Sequence, residues 1–439
     1  MDNNKLTGKI GDGLLNSSKL HILDLTNNHL TGALPSWLSK FPIIGLYLAN
    51  NGFHGNIPAS MFNQSVMDFM DLSGNKLSGS LPPRFISKYK MNLYLQDNDL
   101  TGPIPDTLLE SIRILDLRYN RLSGSIPRFL HNQNISVLLL RGNNLTGEIP
   151  AHICSLTKVI LLDLAYNSLN GSIPPCFRNL SFGLGGNGEP QGLGGMGLDY
   201  TFETVGIQEY YKYNSVLQLE MFSEPSVSTY RHDKVDFTSK HRYESYNGFM
   251  YGLDLAGNEL SGEIPKEVGH LWRICVLNLS HNSLWGKIPE SFSNLTALES
   301  LDLSFNRLSG EIPHDFAKLH SLAVLNVSYN NLSGTIPQGG KLITFDVSSY
   351  TGNPFLCGLP TNRSCSNIDD DDTEIKEGFI GEDGQDTVID MVVFYWSLTV
   401  TYVSVFAGFL LFLCFESSPR QAWLSLVDAF IRLARRALS

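Results

Sequence analysis

"LESLDLSFNRLSGEIP", residues 298–313, holds two patterns in sixteen positions. Leu298, Leu301 and Leu303 follow L-x-x-L-x-L, and the L-x-L part has strand periodicity, with leucines turned to one side and the residues between them to the other. Asn306, Leu308 and Gly310 follow N-x-L-x-G, and Ile312-Pro313 closes the unit. The N-x-[LF]-x-G unit recurs with asparagines at 4, 28, 51, 75, 98, 120, 143 and 167, spaced by 22 to 24 residues, and returns at 258, 282, 306 and 330. Self-similarity at this period is a leucine-rich repeat. One unit cannot bury its own leucines, so copies must stack into a solenoid. Its strands form a parallel sheet on the concave face, and glycine and proline hold the convex side to a short helical or 3-10 path. Each repeat asparagine is suited to bonding backbone groups at the turn after the strand, which predicts an amide ladder along the coil.

Bulk composition narrows the function. The formal net charge of -11 is concentrated in residues 369–390, where ten Asp and Glu stand against Lys376. No basic stripe precedes the far C-terminus, so a nucleic-acid partner is excluded. The six cysteines lack the paired C-x-x-C spacing of a zinc site. Scattered Ser, His and Asp in repeat positions make no catalytic constellation, and "GLGGNGEPQGLGG" (183–195) lacks the Lys-[ST] of a phosphate loop. A binding protein without cofactor or metal is expected, not an enzyme.

Residues 391–415, "MVVFYWSLTVTYVSVFAGFLLFLCF", carry no charge and span about 37 Å as a helix, more than the roughly 30 Å of a bilayer core. Acidic residues precede this stretch, and Arg420, Arg432, Arg435 and Arg436 follow it, which predicts a single-pass type I protein with its repeats outside the cell. Within the span, Ser404 and Gly408 lie on a small-residue face suited to helix association. N-glycosylation candidates are Asn16, Asn63, Asn134, Asn144, Asn170, Asn179, Asn278, Asn294, Asn326, Asn331 and Asn362, although the repeat itself writes some of these as N-L-S or N-L-T. Cys357 and Cys365 can close a loop over the last repeat. Cys154 and Cys176, one repeat apart, either form a bridge or fill the core as free thiols; spacing leaves both open. Cys275 reads as core filler and Cys414 as a membrane-edge thiol.

The order of these parts, with "SGEIP" repeats and "DFTSKHRYESYNGFMYGLDLAGNELSGEIP" (236–265) where the array resumes, resembles plant leucine-rich-repeat receptor-like proteins. The resulting organisation is leucine-rich repeats at 1–179 without an N-terminal cap, an insertion similar to the family's island domain at 180–248, four repeats at 249–346, a paired-cysteine cap at 347–366, an acidic juxtamembrane segment at 367–390, the transmembrane helix at 391–415 and a cytoplasmic tail at 416–439. The missing N-terminal part predicts a shortened chain. The tail is too short for a catalytic domain. The resemblance therefore implies a plasma-membrane receptor in plant defence or development that signals through a partner receptor-like kinase or adaptor, with the post-insertion repeats meeting the co-receptor. Its ligand is an extracellular peptide, protein or glycan. Alternatives are a non-signalling decoy or a wall-associated binding protein of the hydrolase-inhibitor type. Candidate ligand contacts are the outward strand residues Tyr94, Arg118, Tyr119, Arg141 and Tyr166 and the insertion residues Tyr211, Tyr230, Arg231 and Tyr243. After the insertion the same face presents Asp254, Ser280, His281, Asp302, Ser304 and Tyr329.

Overall fold

The structure, a computed structural model, describes residues 1–16, 20–63, 66–83, 91–110, 112–128, 135–180 and 251–365, with the backbone of 235–239 and 242–246. Each L-x-L segment forms one strand of an 11-stranded parallel sheet that begins at Ile22–Asp24 and ends at Val324–Asn326. Neighbouring strands keep one register, so Leu277 lies beside Leu301 and Leu301 beside Leu325. These leucines enter a continuous core that runs from Leu23 to Leu356.

A second parallel sheet, of 13 strands from Thr7–Gly8 to Phe355–Cys357, is built from the N-x-L-x-G segments. Their spacing in the sequence predicts only a turn. They pair because their neighbours one repeat away present the same unpaired backbone groups at strand spacing, while the single leucine in each, such as Leu308, is buried in the core. Gly310 ends its strand at φ +77, and a Cβ there would approach the Lys287 side chain to 3.1 Å. The chain then passes through Pro313 into the 3-10 turn His314–Lys318, which buries Phe316. Turns of the same kind follow Pro150, Pro174, Pro265 and Pro289, whereas Asp106–Glu110 is a short α-helix.

The predicted amide ladder is present. Asn143 donates from Nδ2 to the carbonyls of Leu117 (2.9 Å) and Leu140 (3.0 Å), and its Oδ1 accepts the Leu122 N–H at 3.0 Å. Asn353 makes the same bonds to Val327, Tyr350 and Leu332, and Phe355–Cys357 pairs with Asn331–Thr335. The segment read as a cap therefore begins as one more rung. Tyr350 is buried beneath it, and burial pushes its phenol up to about 12. A disulfide joins Cys357 to Cys365, and another joins Cys154 to Cys176 across adjacent convex turns with a Cα–Cα distance of 5.8 Å.

The array crosses residues 181–250 without losing register. Leu161–Asp163 pairs directly with Gly252–Asp254, and the Leu169 N–H donates to Asn258 Oδ1 at 3.0 Å. Val235–Ser239 and Arg242–Tyr246 form an antiparallel pair in which Val235 faces Tyr246. Tyr243 lies in this pair, of which only the backbone is described. Tyr211, Tyr230, Arg231, Asn134, and all of 366–439 with Ser404 and Gly408, lie outside the described residues. Among the described residues no helix is long and apolar enough to cross a membrane.

Candidate functional site

The concave sheet turns several columns of side chains away from the leucine core. In the column just before the second leucine, Asp24, Tyr47 and Asp71 at one end and Asn278, Asp302 and Asn326 at the other are half-buried. Between them the same column is sealed: Tyr94 is 7% exposed, Asp116 2%, and Leu139, Asp163 and Asp254 0%. Tyr94, Ile114, Val137, Leu139, Ile160, Leu161 and Val276 form a second apolar cluster on this outer side. Cys275 packs against that cluster instead of filling the leucine core, and burial pushes its thiol up. The signal was in the sequence: Ile114, Val137, Leu139 and Leu161 stand at outward positions where an open, one-sided face calls for polar residues.

Two arginines run through this sealed zone, which corrects the expectation that Tyr94, Arg118 and Arg141 are open contact surface. Arg118 is 5% exposed and Arg141 4%. Arg118 Nε donates to both oxygens of Asp116, at 2.9 and 3.1 Å. Arg141 Nε donates to Asp163 Oδ2 at 2.9 Å, while its Nη2 donates to Asp254 Oδ2. Arg141 thus clamps the strands on either side of the insertion. Its partners are adjacent carboxylates in one register, and neither can reach water. Burial raises the Asp163 carboxyl against the pull of Arg141. Asp254 is pushed up to about 7, first by burial and then by the Asp163 charge, with Arg141 opposing both. A buried charge is tolerated only when paired, so the network is inward-facing chemistry.

The second column stands immediately before each ladder asparagine, in the left-handed region. Asn27 and Asn50 occupy it near the N-terminal end, and their amides form a chain from Asn50 to Asn27 to Asn3 with 2.8 Å links. Farther along it holds Tyr119, Tyr166, His281, Phe305 and Tyr329, at φ between +51 and +53. These rings face solvent, Tyr166 being 53% exposed and Tyr329 50%. His281 stacks on Phe305 at 4.2 Å and Phe305 on Tyr329 at 4.3 Å. The guanidinium of Arg141 lies 5.0 Å from the centre of the Tyr166 ring. The geometry therefore brings Tyr166, His281 and Tyr329 into one exposed column and adds Phe305, which the sequence reading had not singled out. The signal for Phe305 is its place in "SFN", beside "AYN", "SHN" and "SYN" in other repeats.

Of the glycosylation candidates, Asn63, Asn144, Asn170, Asn179, Asn294, Asn331 and Asn362 are exposed. Asn278 and Asn326 are half-buried on the concave sheet, where each Oδ1 accepts a backbone N–H from Ser280 or Ser328. The side chain of Asn16 lies outside the described residues. No group of His, Cys, Asp or Glu among the described residues could hold a metal ion.

Comparison with known proteins agrees with this architecture. The family described as "Leucine rich repeat" matches residues 273–332, and the related "Leucine Rich Repeat" matches 19–41, 111–133, 134–156, 158–180 and 251–271. Receptor-like protein 56 of Arabidopsis thaliana is 54% identical over 299 residues, covering 65% of this chain and 30% of its own length. Receptor-like protein 9a of the same plant is 55% identical over 260 residues, 58% of this chain and 27% of its own. The chain thus spans less than a third of the length of these relatives. Among solved structures, the ectodomain of the Arabidopsis receptor kinase HAESA, in complex with an N-terminally extended IDA peptide hormone, is 31% identical with a TM-score of 0.56, covering 83% of this chain and 55% of that one. The resemblance to plant leucine-rich-repeat receptor-like proteins is borne out.

Proposed function

We propose that this chain, a plant leucine-rich-repeat receptor-like protein by its relatives, recognises an extracellular peptide through its repeats and insertion and signals through a partner receptor kinase at the plasma membrane. The observation that carries the reading is the exposed ring column, Tyr166, His281, Phe305 and Tyr329, which continues along the concave sheet from one side of the insertion to the other. Aromatic side chains offer large contact area and few rotors to freeze, which suits a binding face. The peptide-bound HAESA ectodomain, similar in fold, supports a peptide as the ligand class. The uncharged stretch 391–415 anchors the chain with its repeats outside, and the signal passes to a membrane partner. The chain acts by binding, in defence or development.

The test is co-purification. The full chain, tagged after Ser439, is expressed in plant cells, which are treated with an extracellular peptide fraction or with buffer. A receptor-like kinase that co-purifies more strongly after the peptide fraction is the expected result. Equal or absent kinase in both samples overturns the reading.

A further inference from the structure

The exposed ring column has a gap, and its width is set by backbone hydrogen bonds. Tyr166 N donates to Ala256 O at 2.7 Å, Gly257 N to Ser280 O at 3.0 Å and His281 N to Ser304 O at 2.9 Å, so Tyr166, Gly257 and His281 are successive rungs. Two strand steps separate Tyr166 from His281, about 9–10 Å at ordinary strand spacing. One step farther along, each rung carries a ring, and the rings stack at 4.2 and 4.3 Å. Glycine leaves its own rung without one. On the concave side the neighbouring outward residues are Ala165, Ala256 and Ser280, all too small to fill the space.

We infer that Tyr166, Gly257 and His281 form a slot for one aromatic side chain of a polypeptide partner. The inference rests on the reading that this face meets a polypeptide. A ring placed over Gly257 continues the existing stack, with one aromatic face on each side. The Tyr166 ring leans toward the glycine, where a Cβ would lie only 2.8 Å from Cδ1, so an entering ring needs it to shift. Gly142, the other glycine between two aromatic rungs, differs because the Arg141 guanidinium already lies over Tyr166 at that rung. The same arginine selects the occupant. A second cation would share the Tyr166 ring with Arg141, whose own charge Asp163 and Asp254 hold, so it gains less there than a neutral ring stacked between two faces.

The glycine makes the slot testable by filling it. Phe305 occupies the equivalent rung at φ +52, close to the +63 of Gly257, so Gly257→Phe is expected to fold and to supply the missing ring from the chain itself. Binding of N-acetyltyrosinamide and N-acetylargininamide to the full chain is measured by saturation-transfer NMR, with circular dichroism to confirm folding. The expected result is transfer to tyrosinamide exceeding transfer to argininamide, its loss in Gly257→Phe, and weakening by about 2- to 12-fold in His281→Ala, the worth of one aromatic face. If Gly257→Phe does not fold, His281→Ala decides alone. Undiminished tyrosinamide transfer in the folded variants, or stronger transfer to argininamide, overturns the slot. Because the probes are not the natural ligand, that failure leaves the receptor reading to the kinase co-purification.

Discussion

Replacing Arg141 with leucine is the most demanding test of the clamp across the insertion. The variant removes the cation that bonds both Asp163 and Asp254 and leaves two carboxyls, each 0% exposed, in adjacent register. Breaking a buried pair by deleting one partner costs about 3–5 kcal/mol, because the remaining charge keeps its desolvation penalty. The loss should depend on pH. Asp254 in the folded chain titrates near 7 against 3.8 as its ordinary value, so the folded state holds a proton that the unfolded state releases between those limits. Stability attached to Asp254 is therefore present at the acidic end and lost as pH rises through about 7. Deleting Arg141 raises this carboxyl further, so the variant should lose more stability at pH 7.5 than at pH 5. Hydrogen exchange at Leu161–Asp163 and Gly252–Asp254, followed at both pH values, reads the effect locally, which a solenoid permits because each repeat contacts only its neighbours. A loss below about 1 kcal/mol at both pH values, far under the cost of an unpaired buried charge, refutes the clamp.

Three other perturbations have definite outcomes. Asn143→Ala orphans the buried Leu122 N–H and should cost about 1–3 kcal/mol, seen as faster exchange of the Leu122 amide; unchanged protection would show that the ladder is not needed there. Serine at both Cys154 and Cys176 opens a link between residues 22 apart and should lower stability by about 3 kcal/mol in denaturant unfolding; an unshifted midpoint would refute it. Deleting 181–247 restores ordinary repeat spacing between Asn167 and Asn258, so the coil should still be secreted while peptide-dependent kinase recruitment is lost; retention in the endoplasmic reticulum would make the insertion structural.

The repeat was legible because its two periods are written in few residue types. Leucines every second position specify the concave strands, and asparagine at a fixed offset specifies the ladder, independently of what surrounds them. Asn353 escaped because "NPFLCG" places leucine three residues after asparagine, where other rungs place it two after; the bonds to Leu332 and Val327 depend on the amide, which is unchanged. The second sheet escaped for another reason. A segment with one inward leucine has too little alternation to announce a strand, and its pairing arises only when copies stack. Arg118 and Arg141 were misplaced because alternation says which face of a sheet a residue occupies and not whether that face is open. Only the apolar Ile114, Val137, Leu139 and Leu161 at outward positions distinguish the sealed zone from the flanks.

The ring column also bears on why these residues are aromatic. A non-glycine residue in the left-handed region costs roughly 1–2 kcal/mol, and asparagine is the side chain that tolerates it best, as Asn27 and Asn50 do in the same column. Phenylalanine at 305 and tyrosine at 329 have no such local compensation. Stacking returns about 0.5–1.5 kcal/mol per pair, enough to offset much of the strain within the His281–Phe305–Tyr329 run. Tyr166 carries the Arg141 guanidinium 5.0 Å from its ring centre but has no ring on its Gly257 side, and it leaves 53% of itself in water. A ring from outside would add there the stacking that the His281–Phe305–Tyr329 run obtains within the chain, and the unmatched face therefore points to the same rung as the width of the gap.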